Sequence, residues 1–494
     1  MEILLASLQT LARADVIAAL LVGSVGGVII GAIPGVGPAI AIAILLPATF
    51  AMEPIVGLTL LLGIYGSAMF GGALPAILIN TPGTAVNALT TYDGYPMTRR
   101  GEAQRALALA YGASFIGGVF SVLCLMLLAP VLAEVAPMFG SREIFMAALL
   151  GMVLVVISHR GRNMAAGAML CLGIFLNTVG LEAVRYTRRY TFDQTWLASG
   201  VDLIVVVLGL FAISQAFLLL TGRDDHERVP PLAGGPLGQL LEVLRYPRVL
   251  FPSASFGVVM GIIPGVGEFL AQFFGYTLAQ KTSRTPEQFG RGSPEGLVAS
   301  EAANNAVPPA AMVPLLALGI PGEALTAMML SVFYVHNVVP GPGLFRDQPE
   351  FVLSLYLCLL LLNVLALVFL LLATRWLLHI IVIPNRFLGM AILTLSFVGV
   401  YSLRNSATDC AMAAGFGLLG LILKRLNLPI VPIVLGMVLG GIVESKFRTS
   451  LARVETPLDF IERPIAATIF GIIVAALALH VWSLARARPW RRAR

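Results

Sequence analysis

The sequence predicts an all-α polytopic membrane protein made of two inverted repeats with broken or re-entrant helices, closed by a C-terminal helix. Three observations carry this. The 494 residues are 58% hydrophobic and only 12% charged, whereas soluble domains are about 45–50% apolar and about 25% charged. The apolar stretches are continuous rather than alternating, which excludes a lipid-facing β-barrel. Two motifs recur in the same order, at nearly one offset.

Apolar runs fall at about 15–50 (interrupted in the middle), 55–79, 106–133, 144–158, 163–180 and 201–221. With about 20 residues needed per helical crossing, the whole chain has room for roughly ten to fourteen membrane segments. Residues 1–221 are therefore expected to be a first transmembrane repeat. The polar stretch 222–248, beginning GRDDHERVPPLAGGP, reads as a cytoplasmic linker. Runs resume at about 249–280 (again interrupted), 297–339, 351–374, 387–402, 408–423 and 428–443. That makes 249–450 the second repeat. A final helix near 466–485 and a basic tail complete 451–494. The N-terminus carries no basic segment followed by a cleavage site, so the first span is expected to do the targeting.

GAIPGVGP (31–38) returns as GIIPGVGE (261–268), and LPAILINTPGT (74–84) returns as VPLLALGIPGE (313–323). Loop charges orient the repeats. TRRGEAQR (98–105) follows the second motif of the first half, and cationic loops stay cytoplasmic. GPGLFRDQPE (341–350) follows its counterpart, with one Arg against two acids. Four runs follow the first and five the second, counting the final helix, so the linker and the Arg-rich tail both come out cytoplasmic only if the halves are inverted. RYTRRY (185–190) and the segment with Lys446, Arg448 and Arg453 run against this count.

Proline removes a backbone donor and glycine admits conformations closed to other residues. Pro34-Gly35, Pro82-Gly83, Pro264-Gly265 and Pro321-Gly322 should therefore unwind their helices. Open backbone survives at membrane depth only inside protein or beside a wet cavity. Paired interruptions in two halves mark the binding site of a secondary carrier. Helix N-termini beyond the breaks suit a carboxylate. Expected substrate contacts are Gly35, Gly37, Asn80, Thr81, Gly83, Thr84, Gly265, Gly267, Gly322 and Glu323. Expected ion contacts are Asn80, Glu301, Asn304 and Asn305. Neutral oxygens suit an alkali ion, and carboxylates such as Glu301, Glu268 and Glu323 are costly in lipid unless used. Asp93 in YDGYP reads as part of an interfacial turn.

Enzymatic classes find no support. The five histidines are scattered, and HExxH, GxSxG and GxxxxGK[ST] are missing. Cys124, Cys171, Cys358 and Cys410 lie in or beside apolar runs without metal-binding spacing. No catalytic residue, resident cofactor or structural metal is expected.

At these motifs the chain resembles the large integral membrane subunit of tripartite tricarboxylate transporters. The likeness rests on GAIPGVGP, on YGSAMFGGALPAILINTPGTAVNALTTYDGYPMTRRGEAQRAL (65–107), on the long stretch from GIIPGVGE through EAANNA, and on LALGIPGEAL. It covers about residues 15–440. The resemblance implies uptake of tricarboxylates or related carboxylates across the inner membrane, with Na⁺ or H⁺ as coupling ion. It also implies a small integral membrane subunit and a periplasmic solute-binding protein. Val307-Pro308-Pro309 after EAANNA and Glu323 after the second IPG depart from the family pattern, which bears on the carboxylate chosen rather than on the family. A self-sufficient carrier of the same architecture is the alternative.

Overall fold

A computed structural model describes residues 2–159, 161–182, 187–222, 236–265, 267–381, 383–452 and 456–487. Among the described residues, nine helices are long and apolar enough to cross a membrane. The chain is an all-α, multi-pass membrane protein. Its only described strands are a two-residue antiparallel pairing of Gly180–Leu181 with Arg188–Arg189.

Helices α1 (Glu2–Leu11) and α2 (Ala14–Ala32) lead to the first break, and α3 (Gly37–Thr49) continues beyond it. Helix α4 (Pro54–Ile79) runs to the second break, after which come a short 3-10 turn (Ala85–Ala88), α5 (Thr90–Arg99) and α6 (Ala103–Val135). Next are α7 (Ser141–Ser158), α8 (Asn163–Thr178), α9 (Leu203–Val207) and α10 (Ser214–Thr221), the last two joined by a π-helical segment. The second half repeats this order: α11 (Pro247–Ile262), break, α12 (Gly267–Thr282), α13 (Pro294–Leu318), break, α14 (Ala324–Val335). After a short α15 (Pro342–Asp347) come α16 (Pro349–Ile381), α17 (Asn385–Arg404), α18 (Ala407–Arg425) and α19 (Val431–Leu451). Helix α20 (Pro464–Ala487) closes the chain. All four Pro-Gly pairs thus fall at helix interruptions. Of the expected linker, residues 223–235 lie outside the described residues, as do Arg185, Arg453 and the last Arg cluster from 488 on.

Lipid offers no hydrophobic drive between helices, so close backbone approach through small residues does the packing. Gly23, Gly27 and Gly31 repeat every fourth residue along α2 and face α4. A Cβ on Gly27 would meet the carbonyls of Gly63 and Ile64 at 2.8 Å, and one on Gly31 would overlap the Ala68 carbonyl. Gly257 and Gly261 of α11 do the same against α13. There a Cβ on Gly261 would lie 2.7 Å from Ala310 and 2.8 Å from the Val307 carbonyl. Gly27 and Gly31 stand 230 positions before Gly257 and Gly261, the offset of the repeated motif.

The chain forms two compact units, each drawing on both sequence halves. The larger holds Met1–Ala133, Ile204–Ile263 and Gly267–Ile422. Within it α13 packs on α4 and α5, and α14 on α3 and α4, so the repeats interlock. The smaller unit holds Glu134–Leu203, Pro264–Val266 and Leu423–Arg494. In it α8 and α7 pack on α19, and α20 on α7.

Candidate functional site

In the larger unit, the two breaks of the first half are stitched together. Gly35 adopts φ +80° and Gly37 φ +48°, the left-handed region that favours glycine. The Gly35 N–H donates to the Gly83 carbonyl (3.2 Å), and the Gly83 N–H donates to the Gly72 carbonyl (3.3 Å). Asn80 ends α4 in a left-handed conformation at φ 54°, and the Thr81 hydroxyl donates to the Ile79 carbonyl (3.2 Å). Gly35, Asn80 and Thr81 are exposed, whereas Gly83 and Thr84 are buried. Gln215 of α10 also comes here: a Cβ on Gly35 would lie 3.2 Å from its amide nitrogen.

The second half repeats half of this arrangement. Gly322 lies against Gly261, as Gly83 lies against Gly31. Glu323 sits at the N-terminus of α14, where its N–H donates to the Thr326 hydroxyl (3.0 Å) and that hydroxyl donates to the Glu323 carbonyl (3.0 Å). Its carboxyl stands at the helix end whose partial positive charge would otherwise attract a substrate anion. Its first-half counterpart is Thr84, so only the second break carries an ionisable group.

Helix α13 brings in the expected ion residues. Glu301 and Asn304 are fully buried and Asn305 is 3% exposed. Thr90 and Asn87 (3.4 Å) donate to one Glu301 oxygen, and Ser114 (2.9 Å) donates to the other. Asn87 in turn accepts from Thr84 (2.5 Å) beside the second break. The Asn305 amide donates to Ser114 (2.7 Å) and to the Glu301 carbonyl (3.3 Å). Every partner of the Glu301 carboxyl is neutral. A buried carboxylate without a cationic partner is costly, so Glu301 is built to take up a proton or to balance a bound cation. Pro308 and Pro309 lie inside α13. They have no N–H, so the carbonyls of Asn304 and Asn305 lack their helical donor. Both side-chain amide atoms of Asn304 and the Asn305 oxygen are also unpartnered. Asn80 is exposed at the end of α4 and takes no part in this buried network.

Glu268 is 7% exposed and accepts from the Tyr65 hydroxyl (3.1 Å). One turn along α12, Gln272 is fully buried with both amide atoms unpartnered. Tyr65, Asn87, Thr90, Ser114, Gln215 and Gln272 escape the sequence reading. For Tyr65, Ser114, Gln215 and Gln272 the one signal is a polar side chain within an apolar run, whereas Asn87 and Thr90 lie between runs and carry none.

Asp93 is fully buried and clamps the loop that leads into α13. One of its oxygens accepts from the N–H groups of Gly290 (2.9 Å), Gly292 (2.9 Å) and Ser293 (2.7 Å), the other from the Tyr276 hydroxyl (2.8 Å). Burial pushes its pKa above the usual carboxylate value, against the pull of these donors. Arg100 adds a bond to the Gly292 carbonyl (2.5 Å). A cavity of about 570 Å³ opens alongside, lined by Arg100, Arg105, Arg291, Glu102 and Glu295 among others. Arg100 and Arg105 pair with Glu102, and Arg105 also with Glu242, which leaves little uncompensated charge for an anion.

In the smaller unit, the break at Pro264-Gly265 packs on α7. Gly265 has φ +82°, and a Cβ there would lie 3.0 Å from the Val155 backbone nitrogen. The basic segment RYTRRY is partly neutralised: Arg189 pairs with Glu444 (2.6 Å), while Arg188 is exposed.

The comparisons with known proteins meet this geometry. The family model described as "Tripartite tricarboxylate transporter TctA family" matches residues 17–435. The chain belongs to this family. It is 34% identical over 471 residues to an "Uncharacterized 52.8 kDa protein in TAR-I ttuC' 3'region" of Agrobacterium vitis, covering 93% of this chain and 91% of that protein. A second Agrobacterium vitis protein, "Uncharacterized protein in TAR-II ttuC' 3'region", is 33% identical over 229 residues, 45% of this chain and 93% of that protein. No solved structure matches significantly. All four breaks and the α13 polar cluster lie inside the matched span. The family is one of transporters, and the chain is a subunit of that kind.

Proposed function

We propose that the chain is the permease subunit of a binding-protein-dependent secondary transporter, importing tricarboxylates or related carboxylates by ion symport across the inner membrane, and that it is not an enzyme. The observation that carries this is the stitched pair of breaks at Gly35 and Gly83, with exposed Asn80 and Thr81 beside it. Discontinuous helices beside an accessible space suit ligand and ion binding; here the Gly35 and Gly83 N–H groups hold the breaks together, and the exposed Asn80 and Thr81 are the groups left to meet a ligand. Substrate contacts fall to Gly35, Gly37, Asn80, Thr81, Gly83 and Thr84 of the first half. Gly265, Gly267, Gly322 and Glu323 take the matching role in the second half, where Glu323 favours a cationic or protonated group over a bare carboxylate. The coupling ion, Na⁺ or H⁺, belongs with Glu301, Asn304 and Asn305. In an alternating-access cycle, charge balance at Glu301 would permit passage of the loaded or empty carrier only.

High-affinity capture falls to a periplasmic binding protein, with a small membrane subunit completing the assembly. The test is uptake of a labelled carboxylate panel by vesicles holding the chain and small subunit, with and without binding protein, at micromolar substrate. Uptake that appears only with the binding protein supports the reading. Equal uptake without it favours a self-sufficient carrier.

A further inference from the structure

Between α4, α13 and α16 lies a cavity of about 10 Å³, lined by Ser67, Asn305, Pro309 and Asn363 among others. That is room for one water-sized particle. Two polar groups on its wall are buried and unsatisfied: the hydroxyl of Ser67, 1% exposed, and the side-chain oxygen of Asn305. The Asn305 amide cannot be turned round. Its nitrogen donates to the Glu301 main-chain carbonyl, which only accepts, so the oxygen is the atom left over. The wall also holds Pro309, whose missing N–H frees the Asn305 main-chain carbonyl. Buried polar atoms without partners are rare in native proteins and call for an occupant.

Charge separates a cation from a water. The Asn305 amide donates to Ser114, and Ser114 donates to the Glu301 carboxyl, all of whose partners are neutral. This relay draws the hydrogens of Asn305 toward the carboxylate and turns its oxygen dipole away from it. A cation at that oxygen compensates the buried negative charge, which a water does not do. Size and donor chemistry narrow the choice, since hard cations take oxygen ligands and small cavities discriminate against large ions.

We propose that this cavity binds one Na⁺ ion, held by the Ser67 hydroxyl, the Asn305 side-chain oxygen and the Asn305 carbonyl freed by Pro309, with the Glu301 carboxylate balancing its charge through Ser114. Its role as a coupling ion rests on the carrier reading above; its binding does not. The site joins a helix of the first half to one of the second, so Na⁺ occupancy would bias how the halves pack.

The test uses the full chain in nanodiscs, with no carboxylate present. Thermal unfolding is followed against NaCl, with choline chloride holding ionic strength constant and KCl as a parallel arm, and ²²Na⁺ binding gives the stoichiometry. The wild-type midpoint should rise saturably with NaCl alone, with one ion per chain. Ser67→Ala should need at least about ten times more Na⁺ for the same rise. Ser67→Cys keeps the shape of the side chain but replaces the hard oxygen with sulfur, a poor ligand for a hard cation. It should keep the wild-type midpoint in choline and lose the Na⁺ response. If the wild type shows no Na⁺-specific rise, or if both variants keep its half-saturating concentration, the cavity holds water and the site is refuted. Because no carboxylate is present, a failed transport assay leaves this result standing, and the reverse also holds.

Discussion

Gly83 and its counterpart Gly322 occupy equivalent places in the two halves, yet the structure sets them very different tolerances. A Cβ on Gly83 would overlap the Gly31 carbonyl outright, and would lie 2.8 Å from the Gly72 Cα and 3.1 Å from the Pro75 ring. Two of these neighbours are backbone of tightly packed helices and cannot swing aside. Overpacking of this kind costs about 1–3 kcal/mol or more. Moving Gly83 also strains its bonds with Gly35 and Gly72, each worth about 0.5–1.5 kcal/mol. Gly83→Ala should therefore destabilise by about 3–5 kcal/mol. On Gly322 the nearest atoms would be the Gly261 carbonyl at 3.1 Å and the Ala311 side chain at 3.5 Å. A shift of a few tenths of an ångström absorbs that, so Gly322→Ala should cost under about 1.5 kcal/mol. Thermal unfolding of the two purified variants, with carboxylate uptake alongside, reads the difference. Gly83→Ala should unfold well below wild type and transport nothing, while Gly322→Ala stays near wild type in midpoint. Equal midpoints for the two variants would refute the packing argument.

Asp93→Ala orphans three backbone N–H groups at about 1–3 kcal/mol each, so the 283–293 loop should become susceptible to proteolysis. Asp93→Asn retains an acceptor for them and should resist; equal cleavage of both would remove the clamp role. Glu242 is held below the ordinary carboxylate range by hydrogen bonds from Arg105, so its contribution is present above the unfolded pKa of about 4.3 and lost as pH falls through the lower folded value. Glu242→Gln should therefore lower stability by about 0.5 kcal/mol at pH 7, and the gap should close below pH 4; a gap that persists in acid contradicts the assignment. Cysteines placed at Arg99 and Phe345 should label from opposite sides of the membrane, Arg99 from the cytoplasm, and labelling from one side would replace inverted repeats with parallel ones.

Much of the fold was legible because its physics is local. Long apolar runs become the spanning helices, and each Pro-Gly pair falls at a helix interruption, although the left-handed residue is the glycine of that pair only at Gly35 and Gly265 and is Asn80 or Gly319 at the other two breaks. The spacing of Gly23, Gly27 and Gly31 was present too, but glycine is common in membrane helices and only the Gly257 and Gly261 match reveals it as packing. The site was less legible. Glu301, Asn304 and Asn305 stand out as polar groups in an apolar run, whereas Asn87, Thr90 and Ser114 meet Glu301 from about 190 to 210 residues away. Asp93 reads as an interfacial turn because its partners are backbone N–H groups, which no side-chain pattern marks. Glu323 reads as a substrate contact, and the structure gives it a place at the N-terminus of α14 that the bare motif does not foretell.

Gradient-driven accumulation tests the central claim most directly. Vesicles containing the chain, its small subunit and a binding protein loaded with labelled tricarboxylate would be given an inward Na⁺ or H⁺ gradient. An ion-coupled carboxylate permease predicts internal label rising above the external concentration and collapsing when an ionophore dissipates the gradient. Label that only equilibrates, at a rate indifferent to both gradients, would contradict it.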